Sequence, residues 1–346
     1  MTLVSVNVCV RNGVEWIDDC IQSLIDQTHR PLEIILVDDG STDGSKDKVQ
    51  KWGEHDLVSV IIQKPIGLSA GRMAALQLSK GEWVAITDID VRPEPNWIEE
   101  LLNCSQSQED ENVMAVTGRT VFAKSSDTVS LIRSVEIESK YRSRPRITSL
   151  ANGPCSMFKR ECLLNVGGFN PEWYHAEDME VSLKLIASGG IIVYSPDAVV
   201  NHVPETGMGR FLSKRRRDAR AHVRIVRNYP AKNRKRPGFD FLGSSWMVLM
   251  YAPVLISMLV GLTLLAINFN QGGIDEIKQS AIAFEYPFWL LIPILIWWPL
   301  ALRSNLSVAL IRKPVGAIIV IMTWSLALWQ GIIQGYIDAI LKRNGH

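Results

Sequence analysis

An α/β domain built on a parallel sheet, followed by a helical membrane region, is the architecture this sequence predicts. Three observations predict it. Apolar, β-rich runs alternate with helical periodicities over roughly the first ninety residues. Two carboxylates, Asp88 and Asp90, close one of those runs. The charges nearly cancel overall, yet arginine and lysine crowd positions 210–236 while 241–274 holds no charged side chain.

The elements follow in order. Residues 3–10 make a run suited to a central strand, and Asn12-Gly13 breaks it. Trp16, Ile17, Cys20, Ile21, Leu24 and Ile25 recur at helical spacing and give one apolar face. Pro31 closes the connection to a second buried strand, 33–37. That strand runs into Asp38-Asp39-Gly40-Ser41-Thr42-Asp43-Gly44-Ser45, a loop of short polar side chains suited to capping the next helix. A third strand covers 58–63, and Gly67-Leu68-Ser69-Ala70-Gly71 leads into a helix over 72–79. Trp83-Val84-Ala85-Ile86 is the fourth strand. Such alternation implies parallel strands joined by right-handed crossovers.

The end of the fourth strand carries the chemistry. In extended chain, residues two apart point to one side, so Asp88 and Asp90 face together. Like charges there repel unless a cation lies between them. Mg²⁺ takes one or two carboxylates plus substrate phosphates. In an open α/β sheet, ligands bind beyond the carboxyl ends of the strands. A solvated turn is the competing reading, since Arg92-Pro93-Glu94-Pro95 follows.

Further along, 97–104 reads as helix and 113–121 as strand. Residues 125–147 are basic, with Arg133, Lys140, Arg142, Arg144 and Arg146; they read as a mobile helix-loop near the substrates or as a solvated helix face. A short strand at 152–158 precedes a helical turn at 160–165. Glu177-Asp178 opens an apolar-patterned helix that Gly189-Gly190 stops. A strand at 191–194 follows, then Val199-Val200-Asn201-His202 beyond Pro196. Cys9, Cys20, Cys104, Cys155 and Cys162 are scattered without metal-like spacing, as reduced thiols facing cytoplasm are. The N-terminus lacks a basic n-region and reads as a strand, not a signal peptide.

Taken together, the 38–45 loop, Gly67 through Arg72, Asp88-Ile89-Asp90, Gly167-Gly168-Phe169, Glu177-Asp178 and His202 resemble, in order, the family 2 glycosyltransferases over about residues 2–205. The chain departs from the common pattern at Arg11, Met73 and Ile89. The resemblance implies a GT-A nucleotide-sugar-binding, Rossmann-like fold and a UDP- or GDP-sugar donor. It implies that Asp90 binds Mg²⁺ or Mn²⁺, with Asp88 on the ribose or orienting the site and His202 as a further ligand or a diphosphate contact. Asp39 would read the base, or cap the following helix; Arg72 would lie by the phosphates, or pair with Asp88; Cys9 would supply backbone contacts. Direct displacement at the anomeric carbon needs a general base. The resemblance gives Asp178 that role, with a carboxylate capping the helix start as the alternative, and one-step attack inverts the configuration.

Three regions follow: 1–205 catalytic, 206–240 a basic amphipathic interface segment and linker, and 241–346 a transmembrane region with spans near 244–269, 286–302 and 314–337. The middle span, with three prolines, reads as crossing or re-entrant. Basic residues around the spans put the catalytic domain in the cytoplasm of a multi-pass membrane protein, with Lys342 and Arg343 in mild conflict. Arg217 and Arg220 read as lipid-surface residues or as a diphosphate clamp at the place of the processive Gln-x-x-Arg-Trp motif, but no tryptophan follows Arg220. The expectation is therefore transfer to a lipid-linked or membrane-proximal glycan acceptor, polyprenyl phosphate or a polyprenyl-diphosphate glycan, in cell-envelope or protein glycosylation. A processive polysaccharide synthase and a non-catalytic nucleotide-sugar-binding subunit are the alternatives. Nucleic acid is excluded as a partner, because the basic run abuts hydrophobic spans.

Overall fold

The computed structural model describes residues 2–106, 112–123, 125–229, 246–282, 289–304 and 306–343. The first half alternates as its sequence dictates: β1 (Val4–Val10), α1 (Ile17–Ile25), β2 (Leu32–Asp39), α2 (Ser45–Trp52), β3 (Val58–Gln63), α3 (Leu68–Leu78) and β4 (Trp83–Asp88). β1 to β4 are parallel, in the order β3-β2-β1-β4. Their apolar side chains are buried because helices cover them; Val4, Val6 and Val8 meet Ile17, Ile21 and Leu24 of α1 in one core.

The second half departs from the parallel order of the first. After β5 (Val91–Pro93) and α4 (Trp97–Ser105) come β6 (Val113–Phe122), α5 (Thr128–Arg142), β7 (Ile147–Thr148), β8 (Ser156–Lys159), α6 (Arg160–Asn165), α7 (Glu177–Ala187) and β9 (Ile191–His202). Among the described residues one nine-stranded sheet runs β3-β2-β1-β4-β8-β6-β9-β5, with β7 pairing on β9. β8 is antiparallel to both β4 and β6. The reason is where the chain enters it. Pro154 lies at the carboxyl end of β4, its carbonyl accepting from Thr87 Oγ1 at 2.8 Å, so β8 has to run back down. The two separate runs expected at 191–194 and 199–202 form one strand. Its register against β6 shifts between Thr117 and Arg119, opposite Ser195-Pro196-Asp197; a bulge accommodates proline, which has no N–H to donate.

The expected basic segment is α8 (Met208–Asn228). The linker at 230–240 lies outside the described residues, as do 244–245 and 286–288 at the edges of two expected spans. The rest forms α9 (Trp246–Ile282, interrupted at Gly273), α10 (Ile292–Arg303), α11 (Ser307–Arg312) and α12 (Pro314–Ile340). Among the described residues two helical stretches are long and apolar enough to cross a membrane, Met247–Gln271 and Pro314–Ile340; Ile292–Arg303 is shorter.

α12 is packed along α5 and α8 from end to end. Near its start Lys313 Nζ donates to the Ser126 carbonyl, and Gly316 faces Thr128 of α5. Trp324 packs edge-on against Phe211 of α8 at 5.1 Å. A Cβ on Gly331 would sit 2.2 Å from the Arg216 carbonyl, and one on Gly335 would sit 3.0 Å from the Arg220 carbonyl. Near its end buried Asp338 pairs with Arg220. Among the described residues α9 meets α12 around its first turns, where Ser325 Oγ accepts from Ala252 N at 3.0 Å and Trp329 Nε1 donates to the Leu249 carbonyl at 2.9 Å. α10 returns beside those turns, with Trp297 Nε1 2.9 Å from the Met247 carbonyl.

The close approach of α8 and α12 depends on the missing side chain at Gly331. Gly331→Ala should cost about 1–3 kcal/mol through overpacking against backbone. Gly209→Ala, on α8 with open space around it, should be neutral or stabilising by about 0.5–1 kcal/mol. Thermal unfolding of the purified protein compares them, and equal midpoints would contradict this packing.

Candidate active site

The carboxyl ends of β1, β2 and β4 gather the acids. Asp39, at the end of β2, is 3% exposed and its carboxylate is fully engaged. It accepts from Gln63 Nε2 at 2.8 Å and from the backbone N–H groups of Ile66 and Gly67 at 2.9 and 3.0 Å. Arg11 approaches within 4.0 Å. Asp39 therefore does not cap α2, as the alternative reading expected; it holds the turn that leads into α3. Gly40 is required beside it, since its φ is +69° and a Cβ would lie 2.6 Å from Pro65. Cys9 closes β1 in register with Val37 and Asp88, so its backbone is committed to the ladder.

Arg72 is the centre of the site. Its guanidinium is 3% exposed, between Asp88 Oδ1 at 2.8 Å and Glu177, which it also contacts directly. Phe169 lies under it, 5.9 Å from ring centroid to guanidinium carbon. Burial alone disfavours a charge, but two adjacent carboxylates outweigh that and raise its pKa further. The pairing of Arg72 with Asp88, one of its two expected roles, is thus present in the structure.

Asp178 follows Glu177 at the start of α7. Oδ2 accepts from Gly153 N at 2.9 Å and Oδ1 from Met179 N at 2.8 Å. Burial raises its pKa, and repulsion from Glu177 adds to that; Arg72 opposes both without prevailing. The turn before it is held hard. Ala176 sits at φ +62°. Arg224 stacks 3.7 Å over Trp173 and donates to the His175 carbonyl, and Arg220 lies 4.7 Å over Tyr174.

The three expected metal ligands divide. Asp88 is turned to Arg72. Asp90 and His202 face each other, Oδ2 to Nε2 at 3.4 Å, because β5 pairs antiparallel with β9 and sets Val91 opposite His202. His202 Nδ1 is 2.7 Å from the Val203 carbonyl, which requires a proton on Nδ1 and leaves Nε2 as the lone-pair nitrogen of the neutral ring. Phe122 stacks on that ring at 4.3 Å and fixes its plane. Among the described residues no three His, Cys, Asp or Glu side chains converge on a metal-sized space, which corrects the Asp88–Asp90–His202 trio. One carboxylate and one oriented imidazole fit a hard divalent ion whose remaining ligands are substrate phosphates and water.

A cavity of about 230 Å³ joins these groups; Arg72, Asp88, Asp178 and His202 all line it. α5 and α8 supply its far wall. There Arg133 pairs with Glu136 and Glu205 at 2.8 and 3.0 Å, Arg215 with Asp218 at 3.1 Å, and Asp218 with His175 at 2.5 Å. Burial works against the charge on Glu205, yet Arg133 and its cationic neighbours pull its pKa down to about 2. Lys140 and Lys214 also line the cavity, with no ion-pair partner among the described residues. Burial, with Arg144 and Arg133 nearby, lowers Lys140 to about 8.

The expected clamp is corrected too. Arg217 is exposed, and Arg220 is committed to Asp338; neither lines the cavity. A helix turns about 100° per residue, so Arg215 and Arg217 project to opposite sides. Lys214, Arg215, His175, Glu205 and Asp218 were not singled out from sequence. The signal was present on α8: Phe211, Arg215, Asp218 and His222 recur at helical spacing, which puts charges on the stripe that packs.

With this geometry established, comparison with known proteins is direct. Residues 5–167 match the profile described as Glycosyl transferase family 2. A cholesterol galactosyltransferase of Borreliella burgdorferi is 36% identical over 111 residues, covering 32% of this chain and 31% of that protein. A glucosyl-dolichyl phosphate glucuronosyltransferase of Haloferax volcanii is 28% identical over 223 residues, 58% of this chain and 68% of that one. The first of these matches thus spans about a third of its relative's length. In fold, the chain is similar to the mannosyltransferase PcManGT from Pyrobaculum calidifontis, solved with GDP-Man and Mn²⁺. The TM-score is 0.56 at 21% identity, over 97% of this chain and 87% of that one. The chain carries a glycosyltransferase family 2 domain with a GT-A-type core.

Arg72→Met would strand buried Glu177 without a counter-charge. It should cost about 3–5 kcal/mol. Arg142→Ala breaks only the exposed pair with Glu138 and should cost under about 1 kcal/mol. Denaturant unfolding followed by tryptophan fluorescence separates the two, and equal effects would contradict the central role of Arg72.

Proposed function

We propose that the protein is a membrane-bound, inverting glycosyltransferase that moves a sugar from a UDP- or GDP-sugar to a lipid-linked glycan acceptor at the cytoplasmic face. The observation that carries this is one cavity lined by His202, whose oriented imidazole stands 3.4 Å from Asp90, and by a carboxylate with a raised pKa, Asp178. Names of relatives acting on cholesterol and on a dolichyl phosphate agree with a lipid acceptor.

The residues divide the work. Asp90 and His202 would hold Mg²⁺ or Mn²⁺, which supplies positive charge to the departing nucleoside diphosphate. Asp178 takes the proton from the attacking acceptor hydroxyl, and a raised pKa suits a base working near neutral pH. Arg72 fixes Asp88 and Glu177, so the donor side and the base keep one separation. Arg133, Arg215 and the unpaired Lys140 and Lys214 give the far wall a positive face for phosphate.

The membrane mode follows from charge. α12 would be about 40 Å long at 1.5 Å per residue, enough to cross. Beside it, however, runs α8 with Lys214, Arg215, Arg216, Arg217, Arg220 and Arg224. Were α12 to span, α8 would enter hydrocarbon with it, at a cost of several kcal/mol per charge. α12 therefore rests along the interface, its outer face of Ile319, Leu326, Ile333 and Ile340 in the lipid. The crossing elements are the stretch Met247–Gln271 and a return through α10. Two crossings leave the catalytic domain, Lys342 and Arg343 on one side, which removes the conflict in the charge rule.

Two outcomes test this. Asp178→Asn should keep Mn²⁺-dependent UDP or GDP binding and lose about 10²–10⁴-fold in transfer of labelled sugar to lipid extracts. The wild-type rate should fall as pH drops through the raised Asp178 pKa, since only the ionised carboxylate accepts the proton. Unchanged transfer in the variant would mean Asp178 is not the base, and transfer by neither protein with intact nucleotide binding would favour a binding subunit. Separately, in intact cells an impermeant maleimide should label Asp275→Cys and spare Lys342→Cys. Labelling of both would return α12 to the role of a span.

A further inference from the structure

The catalytic cavity shares a wall with a larger one. Thr120, Phe122, Ile137 and Tyr141 line both. The second cavity, about 820 Å³, opens between β6, α5 and the middle of β9. It falls within the range of about 300–1,000 Å³ that ligand pockets occupy, while the catalytic cavity falls below it. The acids of the donor side, Asp39, Asp88 and Asp90, stand at the ends of β2 and β4, where nucleotides bind in such sheets. The larger cavity lies on the other side of the shared wall and is left to the acceptor.

Its lining has a definite chemistry. Its described lining residues include four arginines, Arg119, Arg142, Arg144 and Arg146, and one acid, Glu138. Arg144 belongs to the fold. It donates to Thr148, Asn152 and the Leu150 carbonyl, and its guanidinium lies 5.6 and 5.3 Å from the rings of Tyr141 and Tyr194. Those rings stack 6.0 Å apart, so the wall is an aromatic surface locked in place. Arg119 is exposed, and the side chain of Arg142 is 77% exposed with only a solvent-screened pair to Glu138. Planar guanidinium groups favour carboxylate and phosphate, which they bind through two parallel hydrogen bonds. Tyr141 and Tyr194 are 8% and 6% exposed, so they stiffen the wall and leave contact with a ligand to the exposed arginines.

We propose that this cavity is an acceptor subsite for an acidic saccharide, carboxylate- or phosphate-bearing, with its acidic groups on Arg119 and Arg142. It rests on the reading of the protein as a transferase with a glycan acceptor, and it narrows that acceptor to an anionic one. The probes are tetragalacturonate and, as a neutral match in length, maltotetraose. Binding of each to the detergent-solubilised full chain is measured by calorimetry, alongside Mn²⁺-dependent UDP and GDP binding on the same sample. Saturable tetragalacturonate binding is expected, at least about tenfold tighter than maltotetraose, weakening as salt is raised. The Arg119→Ala/Arg142→Ala variant, altered only at exposed positions, should lose about tenfold for tetragalacturonate and keep its nucleotide affinity. Equal binding of the two saccharides, no binding of either, or an unchanged variant overturns the subsite. Loss of nucleotide binding in the wild type overturns instead the function on which it rests.

Discussion

A single buried guanidinium organises this molecule. Arg72 stands between Asp88, at the tip of β4, and Glu177, at the start of α7. Removing the charges of Arg72 and Glu177 from water is costly, and a buried ion pair is weak testimony for stability in itself. What it does supply is a fixed distance. Two elements that no local turn connects are tied by short, charge-assisted bonds, so the carboxylate next to Glu177 keeps its place across the cavity from the β4 acids. The remaining lines of force are secondary to this one. Gly153 N and Met179 N aim Asp178, and the arginines of α8 brace the strained turn before it.

α8 is where chemistry and membrane meet. One side of it presents Lys214, Arg215 and Asp218 to the cavity, and another lies against α12 through Gly331 and Gly335. The pair Arg220–Asp338 closes that seam, and the same Arg220 lies over Tyr174, four residues from Asp178 in the chain. α12 is therefore mechanically continuous, through α8, with the turn that carries Asp178. An enzyme whose acceptor arrives along the bilayer gains from having its reaction centre set at a fixed height above that surface.

The sequence disclosed the parts of the fold that local physics decides. The first four strands were legible because buried parallel strands are continuous apolar runs, and the helices between them because their apolar residues recur with helical period. Asp88, Asp90, Asp178 and His202 were all named from motif order. Their mutual arrangement was not legible. The facing of Asp90 and His202 follows from pairing between β5 and β9, a long-range register that no spacing reveals. Arg215 and Arg217 differ only in helical phase, and which face of α8 packs is decided by α12. The reversal of β8 depends on where Pro154 meets β4. α12 passes every compositional test for a span; the charged helix lying beside it is a tertiary fact, and that fact changes the reading.

The proposed function turns on one donor held between an ion site and a base. The most direct measurement is a structure of the protein with a nucleotide-sugar and Mn²⁺, the ion located by anomalous scattering. The account predicts the ion bonded to both Asp90 and His202, with the anomeric carbon of the sugar facing Asp178 across the cavity. An ion seated elsewhere, or a sugar turned out of reach of Asp178, would contradict it.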